Sequence, residues 1–277
     1  MFRTADELLE DDPWRGFREH ALSFHWEGYE PHLLVRDLRT GDISERDLGN
    51  ASFYVSRARR CVGRFEDGVH IPCPRGVKVD RFSQCPACAS IWIPIQICIF
   101  EPQCSGERCD SPICSRPHVV YAAFFGDIVK IGMTGEARLV QRGIEQGADA
   151  IAPLVRCTNR QEARAQEKRI SRMLKRPQAV RGDQFARQLV KPLEPRRIDA
   201  LHRDLLSRLG EGTLDELHIL DGYPVKRSMA TPPKVVETSG RHRGTVIGIR
   251  GKYMILDDNG PKLINLADLP ARFIDLR

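Results

Sequence analysis

The chain has 277 residues and a formal charge of +6, from 43 Lys+Arg against 37 Asp+Glu, and its length suggests two or three domains. Hydrophobic residues at 41% and charged residues at 29% are ordinary globular composition and exclude wholesale disorder. The longest apolar run, residues 91–100 (IWIPIQICIF), is broken by Pro94 and falls short of the ~18 residues of a membrane span. The acidic, polar start MFRTADELLEDDPWRG has no signal-peptide pattern, so a cytoplasmic protein without a membrane partner is expected.

In chain order, residues 1–60 read as a β-rich segment. Residues 30–38 and 42–48 interleave apolar and charged positions on either side of a Thr40-Gly41-Asp42 turn. A cysteine-rich region follows over 61–117. Residues 118–125 (HVVYAAFF) predict a strand, Gly126-Asp127 a hairpin turn and residues 128–132 the partner strand. Thr134 is placed as the N-cap of a helix running through Gln146, with Gly147 as its C-terminal stop. Residues 148–156 predict a third strand, and residues 161–174 a helix that ends before Pro177. A further helix is expected over Pro195–Leu209, completing a domain at 118–210. Residues 211–243 are assigned as a linker, because 221–243 carries three prolines and few apolar residues. Three short strands, 244–249, 253–257 and 262–265, turn at Gly251 and Asn259-Gly260 and predict a small barrel-like β appendage over 244–277. The expected fold class is α+β.

Eight of the nine cysteines lie between Cys61 and Cys114. Without a secretory signal, such clustering points to metal ligands rather than disulfides. Cys85-Pro-Ala-Cys88 has the CxxC spacing that lets two thiolates hold one tetrahedral ion, and Cys61 and Cys73 are its natural upstream partners. A second set is Cys98, Cys104, Cys109 and Cys114. Cys98 sits in an apolar run and reads equally as a core thiol, in which case His118 completes the set. Buried reduced cysteines are the plainer alternative, but the interleaved Pro, Gly and Arg make a poor core. One or two structural zinc ions are expected, because closed four-ligand sites leave no position for reacting water.

Charge is concentrated as well. Residues 160–208 hold 14 Lys/Arg and six acids, a local positive field suited to nucleic acid or to a merely solvated surface. On the helix around 161–174, Ala163, Glu167, Ile170 and Leu174 share one face, which sets a carboxylate within an apolar stripe. An inward carboxylate is costly unless a cation receives it. Arg164, Lys168 and Arg172 form the opposite stripe, expected to be solvated and to contact nucleic acid.

Residues 118 to about 185 resemble the GIY-YIG nuclease superfamily. His118-Val119-Val120-Tyr121 resembles the GIY strand, with Tyr121 in the tyrosine's place. Lys130-Ile131-Gly132 stands where YIG is expected, lysine replacing the second tyrosine. Arg138 or Arg142 is similar to the family's helix arginine, Glu167 to its metal-binding glutamate, and Gly182-Asp183-Gln184-Phe185 to the closing strand of some members. The asparagine that many of these nucleases carry has no clear match. The wider layout, from the cysteines to GTVIGIRGKYMILDD, resembles an uncharacterised bacterial and archaeal family.

The resemblance implies a metal-dependent phosphodiester hydrolase. Glu167 would hold one Mg²⁺ or Mn²⁺, Arg142 or Arg138 would neutralise charge on the phosphoryl oxygens, and Tyr121 would orient or deprotonate water. Lys130 is expected to lower that tyrosine's pKa. Two other functions fit the same residues: a nucleic-acid-binding protein without turnover, and the same frame recruited to a different substrate.

Overall fold

The computed structural model describes residues 16–89, 98, 101–102, 111–225 and 229–276. Strands β1 (Glu19–Glu27), β2 (Glu30–Asp37) and β3 (Ile43–Arg46) form an antiparallel meander, and β4 (Asn50–Arg59) leads into the small hairpin β5 (Arg64–Glu66) and β6 (Val69–Ile71). After a single helical turn, α1 (Pro112–Ser115), come the hairpin β7 (His118–Phe125) and β8 (Ile128–Gly135), then α2 (Leu139–Gln146), β9 (Ala150–Cys157) and α3 (Arg160–Leu174). Two more helices, α4 (Gly182–Leu189) and α5 (Pro195–Leu209), precede β10 (His218–Ile219), β11 (Lys234–Val235), β12 (Gly240–Arg250), β13 (Tyr253–Asp257), β14 (Pro261–Asn265) and β15 (Arg272–Leu276). The architecture is mixed α+β, and no helix among the described residues is long and apolar enough to cross a membrane.

The central segment has the expected order of hairpin, helix, strand, helix. Its sheet runs β10-β9-β7-β8, so β7 has a partner on each edge and all eight of its residues are buried. Alternation then divides the strand between two cores. Tyr121, Ala123 and Phe125 join a core shared with the other sheet, while Val120, Ala122 and Phe124 pack with Ile170 and Leu174 of α3 and Leu205 of α5. Helix α3 starts at Asn159, whose side chain accepts the Glu162 N–H at 2.9 Å.

Three sequence expectations change here. Residues 244–277 do not form a separate barrel-like appendage. The first half of β12 pairs with β4, its second half with β13, and β15 lies between β4 and β1 in one nine-stranded sheet. The N-terminal strands complete the sheet instead, β4 pairing with both β12 and β15 and β1 pairing with β15. Thr134 is not a helix cap, because β8 continues to Gly135 and a 3₁₀ turn, Glu136–Arg138, intervenes before α2. Residues 182–185 are not a closing strand but the first turn of α4, which buries Phe185, Ala186 and Leu189 on one face.

A polar latch joins the two sheets. The Arg250 guanidinium donates to the Gly147 carbonyl at 2.7 Å and to Asp149 Oδ1 at 2.8 Å, while Asp149 Oδ2 accepts the Gly126 N–H at 2.6 Å. Both side chains are almost fully buried. Trp26 Nε1 donates to the Gly251 carbonyl at 2.8 Å, and Gln141 donates to the Trp26 carbonyl at 2.7 Å. Gly147, left-handed at φ 76°, ends α2 as expected, and a Cβ on it would meet Gly251 N at 3.1 Å.

Candidate metal centre and cationic cavity

The sulfurs of Cys61, Cys73, Cys85 and Cys88 lie within 4.8 Å of one another. A tetrahedral S₄ zinc with 2.3 Å bonds has sulfurs about 3.8 Å apart, so four thiolates drawn slightly together fit such an ion. Cys61 follows β4, Cys73 follows β6, and Cys85 and Cys88 flank a tight turn closed by Cys88 N–H to Cys85 O at 3.0 Å. The Cys61 sulfur accepts backbone N–H groups from Cys85 at 3.2 Å and Gly63 at 3.4 Å. Gly63, at φ 81°, has to be glycine, because a Cβ would stand 2.2 Å from the Ile71 carbonyl oxygen. Burial works against ionising Cys73, yet the backbone N–H groups of Val77 and Arg75 and the neighbouring thiols bring it down to about 7. Thiolate is thus favoured at Cys73, whereas burial raises the Cys61 and Cys88 thiols, which need a cation to receive their charge. In the second predicted set, Cys104 and Cys109 lie outside the described residues. Cys98 is buried and Cys114 half-buried on α1. His118 is buried, with Nδ1 2.8 Å from the Arg116 carbonyl.

A cavity of about 400 Å³ opens between the two sheets. Lys130 of β8, Arg142 and Gln146 of α2, and Lys252 at the β12–β13 turn bring its polar groups together. Its apolar wall comes from Phe24 and Trp26 of β1, Phe185 of α4 and Tyr253 of β13. Gln146 binds two predicted site residues at once: its Nε2 donates to the Tyr121 hydroxyl at 2.6 Å, and its Oε1 accepts from Lys130 Nζ. It lies one helical turn beyond Arg142, on the same face.

The electrostatics are those of crowded cations. Burial, then the charge of Arg142, brings Lys130 down to about 7, against the pull of Glu167. Lys252 is lowered for the same two reasons. Tyr121 is raised above the usual tyrosine range by burial, and Arg142 and Gln146 offset part of that rise. The expectation that Lys130 lowers the tyrosine is therefore corrected. A lysine this desolvated carries only part of its charge near neutral pH, and Arg142 exerts the effect instead.

Tyr121 and Glu167 are buried, and neither is among the residues that line the cavity. Of the two helix arginines, Arg142 lines the cavity and Arg138 points outward, and both pair with Glu145. Glu167 is buried, and its Oε2 accepts from Arg164 at 2.6 Å. Arg164 also reaches Glu101 at 2.9 Å, and Lys168 reaches the same carboxylate at 2.6 Å. The solvated stripe is thereby corrected: Arg164 is only 19% exposed because two carboxylates enclose it, and Lys168 is ion-paired. Arg172 stays exposed, bonded to the Lys168 carbonyl at 3.2 Å.

Sequence reasoning missed Gln146, Lys252, Trp26 and Glu101 as contributors. Helical spacing from Arg142 could have found Gln146. The others come from distant parts of the chain, and no local pattern marks them.

A family model described as "Protein of unknown function (DUF2797)" matches residues 51–271. No curated protein and no solved structure matches the chain.

Proposed function

We propose that this chain, which belongs to the DUF2797 family, is a metal-dependent nuclease that hydrolyses phosphodiester bonds at the cavity between the two sheets. One observation carries the reading: Lys130 and Arg142 line a cationic cavity, the buried Tyr121 hydroxyl meets it through Gln146, and the charge of Glu167, buried outside the lining, acts on both Tyr121 and Lys130. These are residues that the resemblance to GIY-YIG nucleases implies.

Arg142 and Lys252 would hold the phosphate and offset charge growing on its oxygens. Lys130, partly neutral while the cavity is free, would gain its proton when an anion enters. The Tyr121 oxygen accepts from Gln146, which leaves its own proton directed toward another acceptor, as needed to orient an attacking water. Glu167 would hold the catalytic Mg²⁺ or Mn²⁺, an ion satisfied by one or two carboxylates together with substrate phosphates. When bound, that ion supplies Lewis-acid polarisation of the phosphate. The four-cysteine site would hold zinc for structure, since four thiolates close its coordination. Exposed basic residues such as Arg172 would follow the phosphates of the chain.

A second reading is a nucleic-acid-binding protein without turnover. It is favoured by the Arg164–Glu167 ion pair, which partly neutralises the carboxylate assigned to the metal. Incubating the protein with labelled single- and double-stranded DNA and RNA, with and without Mg²⁺ or Mn²⁺, separates the two. Cleavage that needs the added ion supports the nuclease, and binding without cleavage supports the second reading.

A further inference from the structure

We propose that the cavity takes one nucleotide unit with its base unpaired, its phosphate on Arg142, Lys252 and Lys130 and its base against the wall that begins at Phe24. The inference rests on reading this cavity as the phosphodiester site, and it goes further by naming what enters.

The size of the cavity and two chemistries side by side within it select the occupant. About 400 Å³ lies within the ~300–1,000 Å³ range of small-ligand pockets, and a double helix does not enter such a space. A phosphate alone would need the cations but not an aromatic wall. A purely apolar ligand would suit the wall, yet it would desolvate the Lys130 and Lys252 amines and bring no anion to them, while Arg142 already has Glu145. A nucleotide satisfies both halves. Phe24 and His25 are only partly buried at the mouth, and Trp26, Phe185 and Tyr253 close the space behind them. The Phe185 and Tyr253 rings stack on each other with centroids 4.9 Å apart, which fixes that inner wall. Gln178 also lines the cavity and offers polar atoms to a base edge, while Glu145 is held by Arg138 and Arg142. Because every base has an apolar face, stacking at such a wall tolerates sequence but requires the base to be out of the duplex.

The test is calorimetric titration without added Mg²⁺ or Mn²⁺, so that the result stands apart from any cleavage. Nucleoside 5′-monophosphates, ribose 5-phosphate and inorganic phosphate are compared on the wild type, Phe24→Ala and Lys252→Gln. On the wild type, the nucleotides are expected to bind at least about tenfold more tightly than ribose 5-phosphate, the scale of one stacked base. Phe24→Ala should remove that preference and leave ribose 5-phosphate affinity unchanged, while Lys252→Gln should weaken both. Equal affinity of the wild type for nucleotide and ribose 5-phosphate overturns the proposal, and this comparison needs no variant to fold. Competition identifies the source. A single-stranded oligonucleotide that displaces the mononucleotide assigns the pocket to a residue within a chain, and failure to displace assigns it to a free nucleotide. A blunt duplex that displaces as well as the single strand overturns the proposal. Nucleotide preference in a protein that cleaves nothing would remove the nuclease reading and leave the pocket standing.

Discussion

Tyr121 and Gly132 stand opposite each other across the β7–β8 ladder, and the tyrosine occupies the space where a side chain at 132 would begin. A Cβ on Gly132 would lie 2.5 Å from both Cζ and the hydroxyl oxygen of Tyr121. The glycine in Lys130-Ile131-Gly132 is therefore required by the tyrosine opposite it. That contact aims the hydroxyl at Gln146, which also holds Lys130, so one register fixes all three side chains.

Gly132→Ala should displace the Tyr121 ring. The expected cost is about 1–3 kcal/mol of stability, the usual range for overpacking a filled core, with a larger loss of any cleavage activity than the stability change explains. Thermal melting alongside turnover measures both. An alanine variant as active and as stable as the wild type would show that the ring does not depend on this contact.

Metal removal should have a local and then a global effect. Because ligand thiolates are organised by the ion they bind, chelation or Cys85→Ser should release zinc and melt the β5–β6 hairpin, exposing the end of β4 at the centre of the nine-stranded sheet. Elemental analysis of protein purified without chelators should find at least one zinc per chain. Its absence would contradict the assignment of Cys61, Cys73, Cys85 and Cys88.

The Arg250–Asp149 pair tests how the sheets are joined. Removing one partner of a buried ion pair leaves the other charge uncompensated, at a typical cost of about 3–5 kcal/mol. Arg250→Met should therefore destabilise strongly in urea unfolding. Adding Asp149→Asn should recover part of the loss, although Asp149 would then hold the Gly126 N–H less well. Purely additive losses would mean that the two residues act independently.

Phosphate affinity should depend on pH through Lys130. Burial and Arg142 set its free value at about 7, and an anion in the cavity favours the charged form and raises it. A pKa raised by the ligand gives affinity that is level below the free value and falls above it, by up to about tenfold per pH unit. Titrations with ribose 5-phosphate should weaken as pH rises from about 7 to 9, and Lys130→Met should flatten that decline. Lys252, also lowered, would retain some slope at the alkaline end. Affinity that rises with pH in the wild type would rule this account out.

Much of the central segment was legible because its patterns are local. The alternation in HVVYAAFF, the Gly126 turn and the Ala163–Ile170–Leu174 stripe each follow from the nearest few residues, and α5 has the limits that its sequence suggests. The CxxC spacing likewise led to the four-cysteine cluster. The nine-stranded sheet was not legible. Its pairings of β15 with β1 and of β12 with β4 join residues about 190 to 255 positions apart, and strand partners at that range leave no periodic trace. Arg164 was misread for a related reason. Helical spacing set it on a polar face, but Glu101, from a separate segment, covers that face. The cavity combines both lessons, with its central-segment cations foreseeable and Phe24, Trp26, Tyr253 and Lys252 supplied by the other sheet.

The central claim is that this cavity performs phosphodiester hydrolysis with Glu167 holding the metal. Its most direct test compares wild type with Glu167→Gln in a Mg²⁺- or Mn²⁺-dependent cleavage assay, with oligonucleotide binding measured in parallel. The account predicts cleavage that falls at least about a hundredfold in the variant, on the scale of a lost electrostatic contact to the transition state, while binding changes little. Cleavage that survives the substitution would contradict the account, as would a wild type that binds nucleic acid and cleaves none of it.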